Sequence, residues 1–281
     1  MGYLIALTAV SSCVYLLLRV SDEKGARKFN VLFINYLLSL TMAAVSLRGT
    51  SFPTGEANGP ALGIGAVNGA LYLISLVLMQ TSIRRNGMIA TSTFSRLGVL
   101  IPILLSLFLF KEQPSAVQLV GVGIAVAAIF IMQWKPHGAE GVDRRYLYLL
   151  FLQLVVSGFS NAMSKIYSAF GAAQYKNWFV FYSFLLAAIL CGVCRVVKKE
   201  GRISGKDALF GLGIGTVNYL SAQLTLQALY SLPSYIVYPV TNAGALVLVS
   251  LASVLLWKDK VSRRQVVGIV LICCAVALMN I

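Results

Sequence analysis

The sequence predicts an all-α integral membrane protein of ten transmembrane helices, arranged as two inverted five-helix repeats. Three observations predict this fold class: a strongly apolar composition, apolar segments long enough to cross a bilayer, and a resemblance between the two halves of the chain. Hydrophobic residues make up 58% of the 281 residues and charged residues only 11%, against about 25% charged residues in ordinary soluble domains. Together with a mean hydropathy of +0.82, this composition excludes a soluble globular protein and a disordered chain.

Ten apolar segments are close to the roughly 20 residues that a helix needs to cross the hydrocarbon core. The first is short, but it lacks the basic start and small-residue cleavage site of a signal peptide, so we expect a retained helix. The segments do not alternate as barrel strands do, which leaves α-helices as the spanning structure. They cover residues 2–18, 30–47, 61–83, 87–110, 116–134, 147–167, 177–197, 208–230, 234–257 and 264–281.

The two halves of the chain are related in sequence. Residues 94–132 align without gaps on residues 241–279, with ten identical positions, and Gly63–Asn68 corresponds to Gly213–Asn218. Since each half holds five helices, the second half enters the membrane in the opposite orientation, which is the pattern of an inverted-repeat transporter.

We therefore divide the chain into a first repeat at 1–134, a connecting loop at 135–146 and a second repeat at 147–281. The loop charges agree with the inversion: 18 of the 23 lysines and arginines follow odd-numbered helices, and only four lie on the other side. By the positive-inside rule, the odd-numbered loops are cytoplasmic and both termini lie outside. The net charge of +14 comes from these loops, which carry no motif for binding nucleic acid.

The sequence also excludes several kinds of chemistry. All nine acidic residues lie in loops or at helix ends, so no apolar segment holds a carboxylate that could bind a proton together with a substrate. There is no Ser/His/Asp set, no P-loop and no metal-ligand cluster, and Cys191-x-x-Cys194 has only the distant His137 to accompany it. We expect a protein that is not an enzyme and that uses no metal, no cofactor and no ATP-driven step.

Arg96 is a charge about ten residues into the fourth apolar segment. Such a charge costs roughly 2.5–3.5 kcal/mol on insertion scales, and arginine cannot lose its proton to escape the cost. One interpretation is a fork of donors for a substrate carboxylate or phosphate. The other is a structural arginine bonded to helix-end carbonyls or stacked on an aromatic ring. Its repeat counterpart is Ala243, so an anion site would be asymmetric.

Helices 1, 3, 6, 8 and 9 carry polar side chains at helical spacing, among them Gln153 and Ser157 on helix 6. Facing a central cavity, such rows would hydrogen-bond a polar solute. For any single serine or threonine, an interhelical hydrogen bond worth under about 1 kcal/mol is the simpler account. The residues that we predict to bind substrate are Arg96, Ser92, Ser95, Asn68, Tyr72, Asn161, Asn218, Tyr238 and Asn242.

Two inverted five-helix halves, each with a short turn (Lys111-Glu112 and Lys258-Asp259) before a glycine-bearing last helix, resemble the EamA-like branch of the drug/metabolite transporter superfamily. The resemblance covers almost the whole chain. It implies a secondary transporter that moves a small polar metabolite, such as an amino acid or organic anion, by alternating access through a central cavity. Two features depart from the branch: helix 2 has Asn30 and Asn35 where an arginine is often seen, and the loop charges place the termini outside.

Two other functions stay open. One is a flippase for a lipid-linked phosphate or sugar intermediate, and the other is a non-transporting receptor or scaffold, against which the polar interior argues. The expected partners are an anionic or zwitterionic small molecule and membrane lipids, with no nucleic acid. We expect a multi-pass protein of a cell membrane, a bacterial inner membrane, as a monomer or homodimer. Gly121, Gly123 and Gly268 give helices 5 and 10 small faces, best explained by close helix packing, with a dimer interface as the alternative.

Overall fold

The computed structural model describes residues 2–53, 58–133, 144–257 and 263–279. Over these residues the chain forms α-helices and two short 3₁₀ turns, Arg144–Tyr146 and Ala173–Tyr175, and no strand. The predicted all-α class is therefore confirmed. The helical segments are α1 (Gly2–Glu23), α2 (Lys28–Ser46), α3 (Asn58–Leu97), α4 (Leu100–Phe108), α5 (Ala116–Gln133), α6 (Leu147–Phe170), α7 (Lys176–Val197), α8 (Gly205–Ser231), α9 (Ser234–Trp257) and α10 (Arg263–Met279).

Within the described residues, six stretches are long and apolar enough to cross a membrane. They lie in α1, α2, the first part of α3 (Asn58–Ile83), α6, α7 with its preceding turn, and α9. Three shorter apolar helices cover Phe94–Phe108, Ala116–Met132 and Val266–Met279. α8 is not among the six, since polar side chains such as Asn218 lower its hydropathy.

The first helix is longer than the sequence indicated. The predicted end at residue 18 is wrong, because α1 continues to Glu23. Arg19 and Glu23, one helical turn apart, form an ion pair of 3.1 Å, and such i,i+4 pairs support the helical turn that they connect. The polar residues that mark the end of the apolar segment are thus still helical.

The long segment α3 reverses its direction between Ser82 and Thr91. The hydroxyls of these two residues are 2.8 Å apart although nine positions separate them, whereas in a straight α-helix the two positions would lie about 13 Å apart along the axis. In addition, Nε2 of Gln153 donates to the hydroxyls of both Ser75 (3.3 Å) and Ser95 (3.2 Å), so these two residues are also close together. The reversal lies where the sequence separates its third and fourth apolar segments.

The chain forms two compact units. Unit 1 consists of residues 1–73 and 163–228, and unit 2 of residues 74–162 and 229–281. Each unit takes segments from both predicted repeats. The repeats at 1–134 and 147–281 are defined by sequence similarity and differ from these compact units. The two inverted repeats stay a prediction. Residues 135–143 of the predicted connecting loop lie outside the described residues.

In unit 1, α2 packs along α7, and a polar network connects the starts of α2 and α8. The carboxylate of Asp207, in the first turn of α8, is 1% exposed. It accepts hydrogen bonds from the Arg27 N–H (2.8 Å), from Asn30 Nδ2 (3.0 Å) and from the Ser204 N–H (3.0 Å). Arg195 Nε donates in turn to Asn30 Oδ1 (2.7 Å). This network ties the start of α8 to the start of α2.

In unit 2, the main helix contact joins α5 and α10. A Cβ atom built on Gly121 would lie 3.0 Å from the Ala275 carbonyl oxygen, so the two backbones are in close contact. Ala128 and Ala275 are fully buried beside it. The small residues at this contact therefore serve helix packing within the chain.

Candidate functional site

The nine predicted substrate-binding residues are distributed over both units. Asn68, Tyr72 and Asn218 belong to unit 1. The six others belong to unit 2: Ser92, Ser95, Arg96, Asn161, Tyr238 and Asn242. The side chain of Ser92 lies outside the described set. Each unit is therefore considered separately.

In unit 1, the predicted residues contribute to the packing of α3, α7 and α8. Asn68 is buried, and its Nδ2 donates to the Ser183 hydroxyl on α7 (3.1 Å). The Tyr72 ring is stacked 6.2 Å from the ring of Tyr36 and, on α7, 6.3 Å from that of Phe184. These contacts make a band of amides and aromatic rings that can accept hydrogen bonds and cover an apolar surface.

Asn218 on α8 has its own partner in the same unit. Its Nδ2 donates to Oδ1 of the buried Asn35 on α2 (3.2 Å). Asn35 was noted in the sequence only as a departure from the family pattern and was not predicted as a site residue. The signal was available, since an amide in the middle of an apolar helix needs a polar partner.

In unit 2, a polar cluster forms where α6 meets the end of α3. Gln153 is fully buried and donates through Nε2 to the hydroxyls of Ser75 and Ser95. The Ser157 hydroxyl donates to the Ser95 carbonyl oxygen (2.9 Å). Of these four residues only Ser95 was predicted to be in the site. Gln153 and Ser157 were visible as part of the polar row on helix 6, but their contacts with the neighbourhood of Arg96 could not be read from spacing.

Arg96 lies in the last turn of α3, beside this cluster. Its side chain is half-buried, and its Nη1 atom is buried. After Leu97 the helix is interrupted at Gly98 and Val99, and α4 starts at Leu100. The carbonyl groups at a helix end carry partial negative charge, so a cation in the last turn is stabilised. This location fits the structural interpretation of Arg96, and the anion interpretation stays a prediction.

Two predicted residues on α9 and one on α6 are connected by hydrogen bonds. The Tyr238 hydroxyl donates to the Asn161 carbonyl oxygen on α6 (2.6 Å), and Asn242 Nδ2 donates to the Tyr238 carbonyl oxygen (2.9 Å). Pro239 lies inside this helix, and proline has no N–H to continue the helical hydrogen bonding. Tyr238, Asn161 and Asn242 thus form one group at a weakened point of α9.

A shallow pocket of about 340 Å³ lies elsewhere, in unit 1. Thr41, Met42, Val45, Ser46 and Tyr219 line it. It contains none of the nine predicted residues, and its lining is mainly apolar. We therefore do not assign it to the polar site. Within the described ranges, no three His, Cys, Asp or Glu side chains are grouped as metal ligands.

Comparison with known proteins gives the following relationships. Residues 144–281 match the EamA-like transporter family. An uncharacterised protein of Haemophilus influenzae (strain ATCC 51907 / DSM 11121 / KW20 / Rd) is 22% identical over 267 residues, covering 92% of this chain and 91% of that protein. One solved crystal structure aligns with this chain with a TM-score of 0.77 and 14% sequence identity. The alignment covers 99% of this chain and 98% of the chain in that structure. The last similarity concerns the fold alone.

Proposed function

We propose that this chain is a multi-pass membrane protein of the EamA-like transporter family, whose model matches residues 144–281, and that it is a secondary transporter for a small anionic or zwitterionic metabolite. It exposes one substrate site first to one side of the membrane and then to the other. The observation that carries the proposal is Arg96, a half-buried cation at a helix end within an apolar stretch of unit 2.

The free-energy cost of placing Arg96 in an apolar stretch indicates that this residue has a function. Placing arginine in the middle of a membrane costs roughly 2.5–3.5 kcal/mol on insertion scales, and its planar fork is suited to bidentate contact with a carboxylate or phosphate. An ammonium group in the same place would offer only a point charge. An anionic solute is the ligand that uses both the charge and the shape of this side chain.

The uncharged polar groups support recognition of the rest of the solute. Oδ1 of Asn68 is buried, and it accepts no hydrogen bond from the part of the chain that the structure describes. Buried amide oxygens have a strong tendency to acquire a donor. We propose Ser92, Ser95, Asn161, Tyr238 and Asn242 as polar contacts of the solute in unit 2, and Asn68, Tyr72 and Asn218 as substrate contacts that unit 1 contributes by itself.

A thermal-shift screen of the purified protein tests the substrate class. Each carboxylate or phosphate compound is paired with its neutral amide or alcohol, for example succinate with succinamide. We expect the charged member of at least one pair to raise the melting temperature and its neutral counterpart to leave it unchanged, since only a ligand that binds the folded state stabilises it. Uptake of that compound into proteoliposomes then tests transport.

Two results would contradict the proposal. Stabilisation by neutral compounds alone would exclude the anionic substrate class. Movement of a lipid-linked phosphate between the leaflets, without uptake of any water-soluble compound, would favour the flippase function instead. Empty liposomes and liposomes with heat-denatured protein are the controls for leakage.

A further inference from the structure

The helix that carries Arg96 ends inside an apolar stretch. α3 ends at Leu97, Gly98 and Val99 form a turn, and the Val99 N–H donates to the Arg96 carbonyl oxygen (3.1 Å). The Gly98 N–H donates to the carbonyl oxygens of Phe94 (3.2 Å) and Ser95 (3.3 Å), so the turn itself satisfies these carbonyl groups. A carbonyl oxygen has two lone pairs, and the one of Ser95 accepts a second hydrogen bond.

Side chains from α6 add further hydrogen bonds to Ser95. The Ser157 hydroxyl donates to the Ser95 carbonyl oxygen (2.9 Å), and Gln153 Nε2 donates to the Ser95 hydroxyl (3.2 Å). Gln153 is 0% exposed and Ser157 is 8% exposed. The residue immediately before Arg96 is therefore held at both its main chain and its side chain by buried groups of one neighbouring helix.

The residue two positions after Arg96 is held by a backbone contact. A Cβ atom on Gly98 would lie 2.9 Å from the Gly158 nitrogen, and a Cβ atom on Gly158 would lie 2.6 Å from the Gly98 carbonyl oxygen. Real Cβ atoms do not approach so closely, so both positions require glycine. The end of α3 and α6 cannot slide past one another without losing this contact.

We infer that Gln153 and Ser157 are positioning residues for Arg96: they fix the end of α3, and with it the direction of the guanidinium toward its anion. The inference rests on the proposed function, because it assigns these residues to the same anion site. Gln153 and Ser157 act through Arg96 and do not bind the substrate in this scheme. Their loss should release Arg96 without removing its charge.

Phenylglyoxal, a small reagent selective for arginine, measures this release without a known substrate. The full chain is reconstituted in lipid vesicles, and the rate of modification at Arg96 is read by mass spectrometry for Gln153→Leu and Ser157→Ala. Ser157→Ala removes the hydrogen bond to the Ser95 carbonyl oxygen, and Gln153→Leu removes the hydrogen bonds to the hydroxyls of Ser75 and Ser95. A hydrogen bond contributes about 1 kcal/mol, so we expect modification of Arg96 to become roughly fivefold faster for each bond to Ser95 that is lost. Modification of the exposed Arg145 should not change.

Two matched variants separate positioning from general loosening. Gly123→Ala lies in the same unit at a position where a Cβ meets no atom within 4 Å, and we expect it to leave the rate at Arg96 unchanged. Ser157→Thr keeps the hydroxyl and should restore the slow rate. Equal rates at Arg96 in wild type, Gln153→Leu and Ser157→Ala would overturn the inference, as would equal acceleration at Arg96 and Arg145.

Inorganic phosphate, used as a probe anion, distinguishes the inference from the proposed function. We expect phosphate to slow modification of Arg96 in the wild type and to lose this effect in Gln153→Leu and Ser157→Ala. If modification is fast in the variants but phosphate slows it in no protein, then Gln153 and Ser157 still hold Arg96 in place. Their role in anion binding would be overturned. Arg96→Ala with unaltered transport would instead overturn the proposed anion site itself.

Discussion

The carboxylate of Asp207 accepts a hydrogen bond of 2.8 Å from the backbone N–H of Arg27, the residue that caps α2, across 180 positions of sequence. The same carboxylate accepts the Ser204 N–H, and Ser204 Oγ accepts the Asp207 N–H (3.2 Å), which is the reciprocal arrangement of a capping box. One buried anion thus stabilises the starts of two helices, where negative charge is favoured by the helix dipole.

The stability of the protein should depend on the charge of Asp207. Burial by itself raises the pKa of this carboxyl, but hydrogen bonds from Ser204, Arg27 and Asn30 outweigh it and hold the pKa below its ordinary value of 3.8. Because the pKa is lower in the folded protein, the stabilisation is complete well above that ordinary value and is lost as the pH falls through the folded-state pKa. We expect the melting temperature in detergent to fall steeply below about pH 4.

Asp207→Asn removes that acid-dependent contribution. We expect a lower melting temperature at neutral pH, corresponding to about 1–3 kcal/mol for buried donors left without an acceptor, and a difference from wild type that shrinks below pH 4. Asp22→Asn, at an exposed position of α1, is the matched control and should melt like wild type. A wild-type melting curve for Asp207→Asn at neutral pH would contradict the role given to this carboxylate.

The reversal within α3 can be tested by a cross-link. In a cysteine-free background, Ser82→Cys together with Thr91→Cys should form a disulfide under mild oxidation, because the hydroxyls they replace are 2.8 Å apart and a disulfide needs Cβ atoms about 3.5–4.5 Å apart. Thr216→Cys with Thr225→Cys on α8 has the same separation in sequence and should not cross-link. Linkage of both pairs or of neither would contradict the reversal.

Substitution of Arg96 should separate its charge from its shape. Arg96→Lys keeps the charge but loses the bidentate fork, so we expect weaker binding of the anion identified in the screen. Arg96→Ala should abolish binding while the protein still inserts and purifies as a monodisperse species. Normal transport by Arg96→Ala would end the anion-site interpretation, and failure of Arg96→Ala to fold would favour the structural interpretation.

The orientation in the membrane can be tested by labelling. The charge distribution, 18 basic residues against four, predicts that the loops after helices 5 and 7 are cytoplasmic. Single cysteines at Arg145 and Lys206, both exposed, should be protected from an impermeant maleimide in intact cells and should react after lysis. Labelling of both from outside would reverse the predicted orientation.

Energy coupling should not require a proton gradient. No acidic residue lies inside an apolar segment, and Glu112, the carboxylate between α4 and α5, is engaged by the Ser234 N–H at the start of α9 (3.1 Å). We expect counterflow of the identified anion to continue when the pH gradient is collapsed, in wild type and in Glu112→Gln alike. Strict dependence on the gradient would show that transport is coupled through another group.

The fold was predictable where polarity changes locally. Arg84 and Arg85 interrupt an apolar run, and the chain reverses there. The end of α1 was misplaced because Arg19 and Glu23 look like loop residues by hydropathy, whereas their pairing on one helix face keeps the last turn helical. Hydropathy shows where the apolar segment ends, but it does not show whether the helix continues past that point.

The candidate site was predictable only in part, because its contacts are tertiary. Helical spacing identified the polar row that contains Gln153, but it does not say that this side chain bonds Ser75 and Ser95 at once. The burial of Asp207 had no local signal either, since its partners Arg27 and Asn30 lie far away in sequence. Such pairings depend on which helices become neighbours.

The contact between α5 and α10 has a consequence for biogenesis. α5 emerges from the ribosome long before α10, and chains generally begin to fold from the N-terminal side during synthesis. Until α10 arrives, the face of α5 that contains Gly121 and Ala128 must be covered by lipid or by the insertion machinery, since its native partner Ala275 is not yet made. A ribosome-stalled chain that ends before α10 should therefore leave this small-residue face of α5 without its native partner.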